Sequence, residues 1–230
     1  MTTTPRIVSH EEWLKAAQAH LAKEKEFTHR REELARERRE LPWEKVEKNY
    51  VFDAPEGKVA LADLFDGKSQ LIIQHFMFGA DWNEGCPSCS FWTDNFNGVD
   101  VHLAHRDTAF VLISRGPIAK LEAYRKRMGW TVRWVSSLNN DFNFDYGVTF
   151  QPDEQGKRYN LDTMKPYGPE DPGLSAFRRG DDGAIYRTYS TYARGLDVLN
   201  GTYHLLDMTS KGRDEDPKHP MAWVRRHDRY

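Results

Sequence analysis

Leu71-Ile-Ile-Gln-His-Phe-Met-Phe78, followed by the polar stretch Gly79 to Gly85, then Cys86-Pro-Ser-Cys89 and Ser90 to Asn97, decides how this chain is read. The first segment is an apolar run of strand length, and the last can carry a helix. Cys86 and Cys89 are the only cysteines in 230 residues, and two residues separate them. That spacing lets the sulfurs close a small disulfide ring or share one metal ion. A thiol between a strand and a helix start meets unpaired backbone N–H groups and the positive end of the helix dipole, both of which favour thiolate. The first reading is therefore a redox dithiol. Cys86, nearer solvent and the helix end, attacks; Cys89, one turn in, resolves the mixed disulfide. Pro87 suits the first helical turn, where its missing N–H costs nothing. Asp81 and Glu84 oppose the thiolate by like charge, so only a modest depression of its pKa is expected.

Bulk composition narrows the setting. Hydrophobic residues make up 39% and aromatics 13%, enough to bury a sizeable core. A formal net charge of -2 gives no electrostatic reason to seek nucleic acid or an anionic membrane. No apolar run approaches the roughly 18 residues of a membrane span, and the first residues lack the basic and apolar segments of a signal peptide. The expected compartment is the cytoplasm, where a lone C-x-x-C is more often catalytic or metal-binding than structural.

Three parts are expected: a helical arm over 1–48, an α/β domain over 49–210 and a C-terminal extension over 211–230. Ser9-His-Glu-Glu12 reads as a capping box, and the helical pattern then runs to Leu41 before Pro42. Trp13, Phe27, Leu34 and Leu41 recur at multiples of seven, a narrow stripe for packing on the domain or for a homodimer contact. From Tyr50 short strands and helices alternate: Tyr50 to Phe52, the helix Ala60 to Phe65, the strand Leu71 to Phe78, then Thr108 to Ser114, the helix Pro117 to Met128 and the strand Trp130 to Val135. This alternation argues for an α/β layer with parallel strands. Leu174 to Phe177 and Ala184 to Tyr189 flank a Gly-Asp turn and read as an antiparallel hairpin. A helix over Ala193 to Met208 follows.

The metal alternative has two forms. Cys86-x2-Cys89-x12-His102-x2-His105 is close to zinc-finger spacing, though two residues rather than three to five separate the histidines. The other form joins both thiols to His75. Thiolate and imidazole together suit copper or zinc, whereas the redox reading needs no cofactor. His102 and His105 also fit ordinary helix-face residues, and His75 fits a hydrogen-bonded core histidine. Its place at the C-terminal end of a parallel strand, where ligands gather in open α/β sheets, argues for a functional role with equal weight. His75, Trp82, Tyr189, Tyr192 and Arg194 are the candidate substrate-binding residues, on the expectation that the aromatic cluster of the hairpin and last helix folds over the dithiol.

A strand, a C-x-x-C at a helix start, a βαβ crossover and a closing hairpin with a helix resemble the thioredoxin plan. Pro172-Gly-Leu-Ser-Ala-Phe-Arg-Arg-Gly180 is similar to the stretch in thioredoxins where a cis-proline opens the strand facing the dithiol, which implies that role and a cis bond for Pro172. His75-Phe-Met-Phe-Gly79, Gly85-Cys-Pro-Ser-Cys-Ser-Phe-Trp92, Tyr189-Ser-Thr-Tyr-Ala-Arg-Gly195, Lys211-Gly-Arg-Asp-Glu215 and Met221-Ala-Trp-Val-Arg-Arg-His227 resemble the bacterial thioredoxin-like proteins of domain-of-unknown-function family 899 over nearly the whole chain. The resemblance implies a thioredoxin-like fold with a central mixed sheet and brings no substrate with it. Two departures from better-known relatives stand out. Gly85, not Trp, precedes Cys86, and Asn83 occupies the place of the Thr in a peroxiredoxin Thr-x-x-Cys. The expected function is a thioredoxin-like thiol–disulfide oxidoreductase acting on a small or protein thiol. The alternatives are a copper or zinc oxidoreductase and a non-enzymatic binding module.

Overall fold

The Ser9 hydroxyl accepts the Glu12 N–H at 3.2 Å while the Glu12 carboxylate accepts the Ser9 N–H, the reciprocal pair that starts a helix. Helix α1 accordingly runs His10–Arg39. The computed structural model describes residues 5–151 and 159–230. Residues up to Pro42 form one compact unit and Trp43–Tyr230 another. Within the first, none of the residues of α1 is buried, and i,i+4 ion pairs such as Glu26–Arg30 and Arg36–Glu40 decorate it.

The second unit opens with β1 (Glu44–Lys45), β2 (Val51–Ala54), β3 (Gly57–Ala60) and a 3-10 turn, Leu61–Phe65. Then come β4 (Gln70–His75), α2 (Pro87–Phe96), α3 (Asp100–Ala104), β5 (Thr108–Ser114), α4 (Ile118–Arg127), β6 (Arg133–Ser136) and α5 (Phe142–Asp145). The hairpin β7 (Gly173–Arg179) and β8 (Ile185–Tyr192) leads into a 3-10 segment, Ala193–Leu199, and α6 (Gly201–Asp207). These strands form one mixed sheet in the order β1-β8-β7-β4-β5-β6-β2-β3. Strands β4, β5 and β6 run parallel, and β7 pairs antiparallel with β4. This is the thioredoxin-like α/β arrangement with a mixed central sheet.

Period-2 alternation divides the core between the two faces of the sheet. Leu71, Ile73, Val111 and Ile113 join Phe52, Leu64, Phe142 and Phe177 in one cluster. Phe76, Phe110 and Leu112 join Trp92, Phe96 and Trp134 in the other. The register sets His75, the last residue of β4, opposite Gly173, the first of β7.

Three local expectations need correction. The strand stops at His75 rather than Phe78, because the Met77 carbonyl turns away to accept the Cys86 N–H at 3.0 Å. The expected helix over Ala193 to Met208 is two pieces, since the Asn200 side chain accepts the Tyr203 N–H at 3.1 Å and caps a new helix instead of continuing the old one. Pro172 is trans: among the described residues no peptide bond is cis. The Asp171 N–H bonds to the Val148 carbonyl at 2.8 Å and the Pro172 carbonyl accepts the Tyr159 hydroxyl, an extended lead-in to β7.

Candidate functional site

Cys86 is the N-cap of α2, with extended backbone and Pro87 behind it in the first turn. Its carbonyl accepts the Ser90 N–H at 3.0 Å and the Ser90 hydroxyl at 2.8 Å. Cys89, one turn further on, is 3% exposed, and its sulfur accepts the Met77 N–H at 3.4 Å. Both cysteines are free thiols. Met77 thus holds the pair from both sides, through its carbonyl to Cys86 and its N–H to Cys89.

The two thiols are driven apart in acidity. Cys86 is pulled down to about 6, first by the hydrogen bond that the Cys89 thiol donates, which with the Cys89 and Ser88 N–H groups and the Ser88 hydroxyl outweighs the cost of burial. Cys89 is pushed well above the ordinary thiol value by burial and by its bond to Cys86. The depression of Cys86 exceeds the sequence expectation because these donors, not the nearby carboxylates, dominate it, and Glu84 is itself engaged by three arginines. Arg127 and Arg229 bind its Oε1, and Arg226 reaches Oε2 at 3.2 Å.

Both sulfurs sit in a cavity of about 330 Å³. His75 and Met77 close one side, Asp171, Pro172 and Gly173 another, and Trp92, Leu196, Tyr203 and Met221 the rest. Of the expected site residues, Cys86, Cys89, His75, Pro172 and Arg194 therefore meet at one cavity. Trp82 lies elsewhere, against Gly79 in a neighbouring cleft with Arg115 and Glu170. Tyr192 is buried behind the site, its hydroxyl donating to the Tyr146 carbonyl at 3.1 Å. Tyr189 is a mid-strand residue of β8 facing Ala176 of β7, outside the cavity lining.

His75 is 1% exposed and stacks at 5.7 Å on each of Phe142 and Tyr146. Its Nε2 shares a 2.8 Å hydrogen bond with Ser175 Oγ, and its Nδ1 has no partner. Burial, helped by the charge of Arg187, pushes it down to about 3, so the ring is neutral. The metal sets are not assembled: α2 ends at Phe96, and His102 and His105 stand exposed on and after the separate helix α3. Among the described residues no group of three or more His, Cys, Asp or Glu is placed to hold a metal ion.

A family model described as a bacterial protein of unknown function, DUF899, matches residues 2–230. The chain belongs to the DUF899 family. No curated protein matches it. Solved structures similar to it include a PrxQ mutant from Xylella fastidiosa, at 13% identity and TM-score 0.46, covering 71% of this chain and 95% of that one. Peroxidoxin BcpB from Mycobacterium tuberculosis is similar at 14% identity and TM-score 0.47, covering 71% and 96%. The mitochondrial 2-Cys peroxiredoxin from Plasmodium falciparum is similar at 14% and TM-score 0.43, covering 73% and 95%.

In this DUF899 member the residue that sequence reading passed over is Asp171. It is 2% exposed in the cavity wall; its Oδ2 accepts the Tyr167 N–H at 3.0 Å, and its Oδ1 has no partner. Burial raises its carboxyl to about 7 despite that N–H, and its charge adds to the upward push on Cys89. A signal existed, since Asp171 directly precedes the proline singled out as facing the dithiol. Trp92, Leu196, Tyr203 and Met221 carried none: each is an ordinary apolar position whose closeness to the thiols depends on tertiary packing.

Proposed function

We propose that this protein is a dithiol–disulfide oxidoreductase. The observation that supports this best is the opposed pair at the cavity, a half-buried Cys86 held near pH 6 beside a buried Cys89 held protonated. The Cys86 thiolate attacks one sulfur of a substrate disulfide, forming a mixed disulfide and expelling the other sulfur as thiolate. The Cys89 proton then passes through solvent to the thiolate expelled in the first step, and Cys89 attacks the Cys86 sulfur, expelling the second substrate thiolate and closing the Cys86–Cys89 disulfide. Two electrons pass to the substrate, and a thiol reductant returns the enzyme to its dithiol form. The acidity order suits both steps, because the attacking sulfur is ionised at neutral pH while its partner stays in reserve.

The test is asymmetric trapping. With a disulfide probe, Cys89→Ser should accumulate a mixed disulfide on Cys86, visible as an adduct by mass spectrometry, whereas Cys86→Ser should trap nothing and lose turnover. Equal trapping at both positions, or none at either, would remove this reading.

A further inference from the structure

The polar tips around the cavity are turned away from it. The Trp92 indole N–H donates to the Leu196 carbonyl at 2.9 Å, and the Tyr203 hydroxyl donates to Glu215 at 2.7 Å. What Trp92, Tyr203, Met77 and Met221 leave for an occupant is hydrocarbon, aromatic face and thioether. Arg194, the one Arg or Lys of the lining among the described residues, has a side chain 70% exposed and is ion-paired with Asp197 at 2.7 Å. Asp197 also lines the cavity and is held in turn by Arg213 at 3.1 Å. Gln74 is bonded to Thr93 and the Cys89 carbonyl and Ser88 to Cys86, which leaves two buried lining atoms without a partner: Nδ1 of the neutral His75 and Oδ1 of Asp171, the one of the two that lacks a donor and carries the acid.

An unpartnered carboxyl oxygen at this depth is costly to keep and marks a place where a ligand supplies what the protein does not. We propose that the dithiol site takes a small, mainly apolar disulfide that carries no negative charge, with Asp171 as the residue that turns anionic disulfides away. The inference rests on the dithiol reading above and adds the substrate class. A second negative charge in this cavity meets a desolvated carboxylate and the Cys86 thiolate, with the Arg194 cation already neutralised by Asp197. A hydroxyl or ammonium group on the ligand instead provides the donor that Oδ1 lacks. The walls work to the same end. They come from α2, the β4 end, the 193–203 stretch and Met221, and they enclose a volume suited to a small molecule rather than a folded protein surface.

The experiment compares two disulfides of nearly equal length: neutral bis(2-hydroxyethyl) disulfide and the dicarboxylate dithiodiglycolate. Reduced full-length protein at pH 8 is mixed with each under single-turnover conditions, and formation of the Cys86–Cys89 disulfide is followed by quench and mass spectrometry. Each rate is divided by that of the same disulfide with free 2-mercaptoethanol, which removes intrinsic reactivity. Insulin serves as a protein disulfide, treated in the same way. The neutral compound should be favoured at least fivefold over both, and Asp171→Asn should cut its advantage over the dicarboxylate at least threefold. A smaller wild-type preference, a faster reaction with insulin, or an unchanged ratio in Asp171→Asn overturns the inference while leaving the dithiol chemistry standing. If none of the three oxidises the pair, the dithiol reading falls and the inference falls with it.

Discussion

Cys86 and Asp171 each turn a local environment into a measurable titration. Because Cys86 is held near 6, its thiolate fraction should climb between pH 5 and 7 and level off above. Iodoacetamide alkylation followed by mass spectrometry should show that profile at Cys86 and no comparable reaction at Cys89. A midpoint of 8 or higher would contradict it. The Cys89 thiol is the largest cause of the depression, so Cys89→Ala should move the midpoint up toward the ordinary value near 8.5. Asp171 acts on stability in the opposite sense to a salt-bridged carboxylate. Its folded pKa, about 7, lies above the model-compound value of 3.8. Between those values the folded state therefore binds more protons than the unfolded state, and folding weakens as pH rises through that window. Asp171→Asn removes the term. The urea-unfolding free energy of the variant should gain on wild type between pH 5 and 8, by at most about 3 kcal/mol. A difference independent of pH would show that the carboxyl is not desolvated as described.

The loop ahead of α2 depends on a close approach rather than on an unusual backbone. A Cβ on Gly85 would lie 2.6 Å from the Phe76 ring and 2.9 Å from that of Tyr124, both buried core side chains. Gly85→Ala should thus cost roughly 1–3 kcal/mol by overpacking, read from the urea midpoint, and an unchanged midpoint would mean that the loop has slack. Elements with a strong local signature were legible in advance. The Ser9–Glu12 capping box, the β5 run Thr108–Ser114 and the Gly-Asp turn of the hairpin each carry their own geometry in a few adjacent residues. Where a side chain competes with the backbone, legibility fails: Asn200 divides an apparently continuous helical pattern because its amide caps better than it propagates. The placement of Cys86 and Cys89 one turn apart at a helix start was readable from spacing. The cavity above them was not, because Trp92, Leu196 and Met221 meet only through chain crossings that no local period encodes.

Across the whole Trp43–Tyr230 unit, distant segments converge on the stretch before the nucleophile. Arg226 donates to the Gly85 carbonyl through Nε at 3.1 Å and Nη2 at 2.7 Å, reaches the Tyr124 hydroxyl at 3.0 Å, and pairs with Glu84. Arg226→Met should leave that carbonyl without these donors and lower unfolding free energy by about 2–3 kcal/mol, whereas a loss under 0.5 kcal/mol would show the contacts to be incidental. The acidity of Cys86 also inverts a familiar assay. Unfolding normally unmasks thiols and speeds their labelling. Here it removes the Cys89 bond and the helix N-terminus that keep Cys86 ionised. At pH 6.5 the thiolate fraction would fall from most of the population to about 1%, a loss that outweighs the roughly tenfold higher intrinsic nucleophilicity of an ordinary thiolate. Pulse labelling of Cys86 at that pH would therefore mark folded molecules several-fold faster than unfolded ones, making this sulfur an inverse reporter of its own native state.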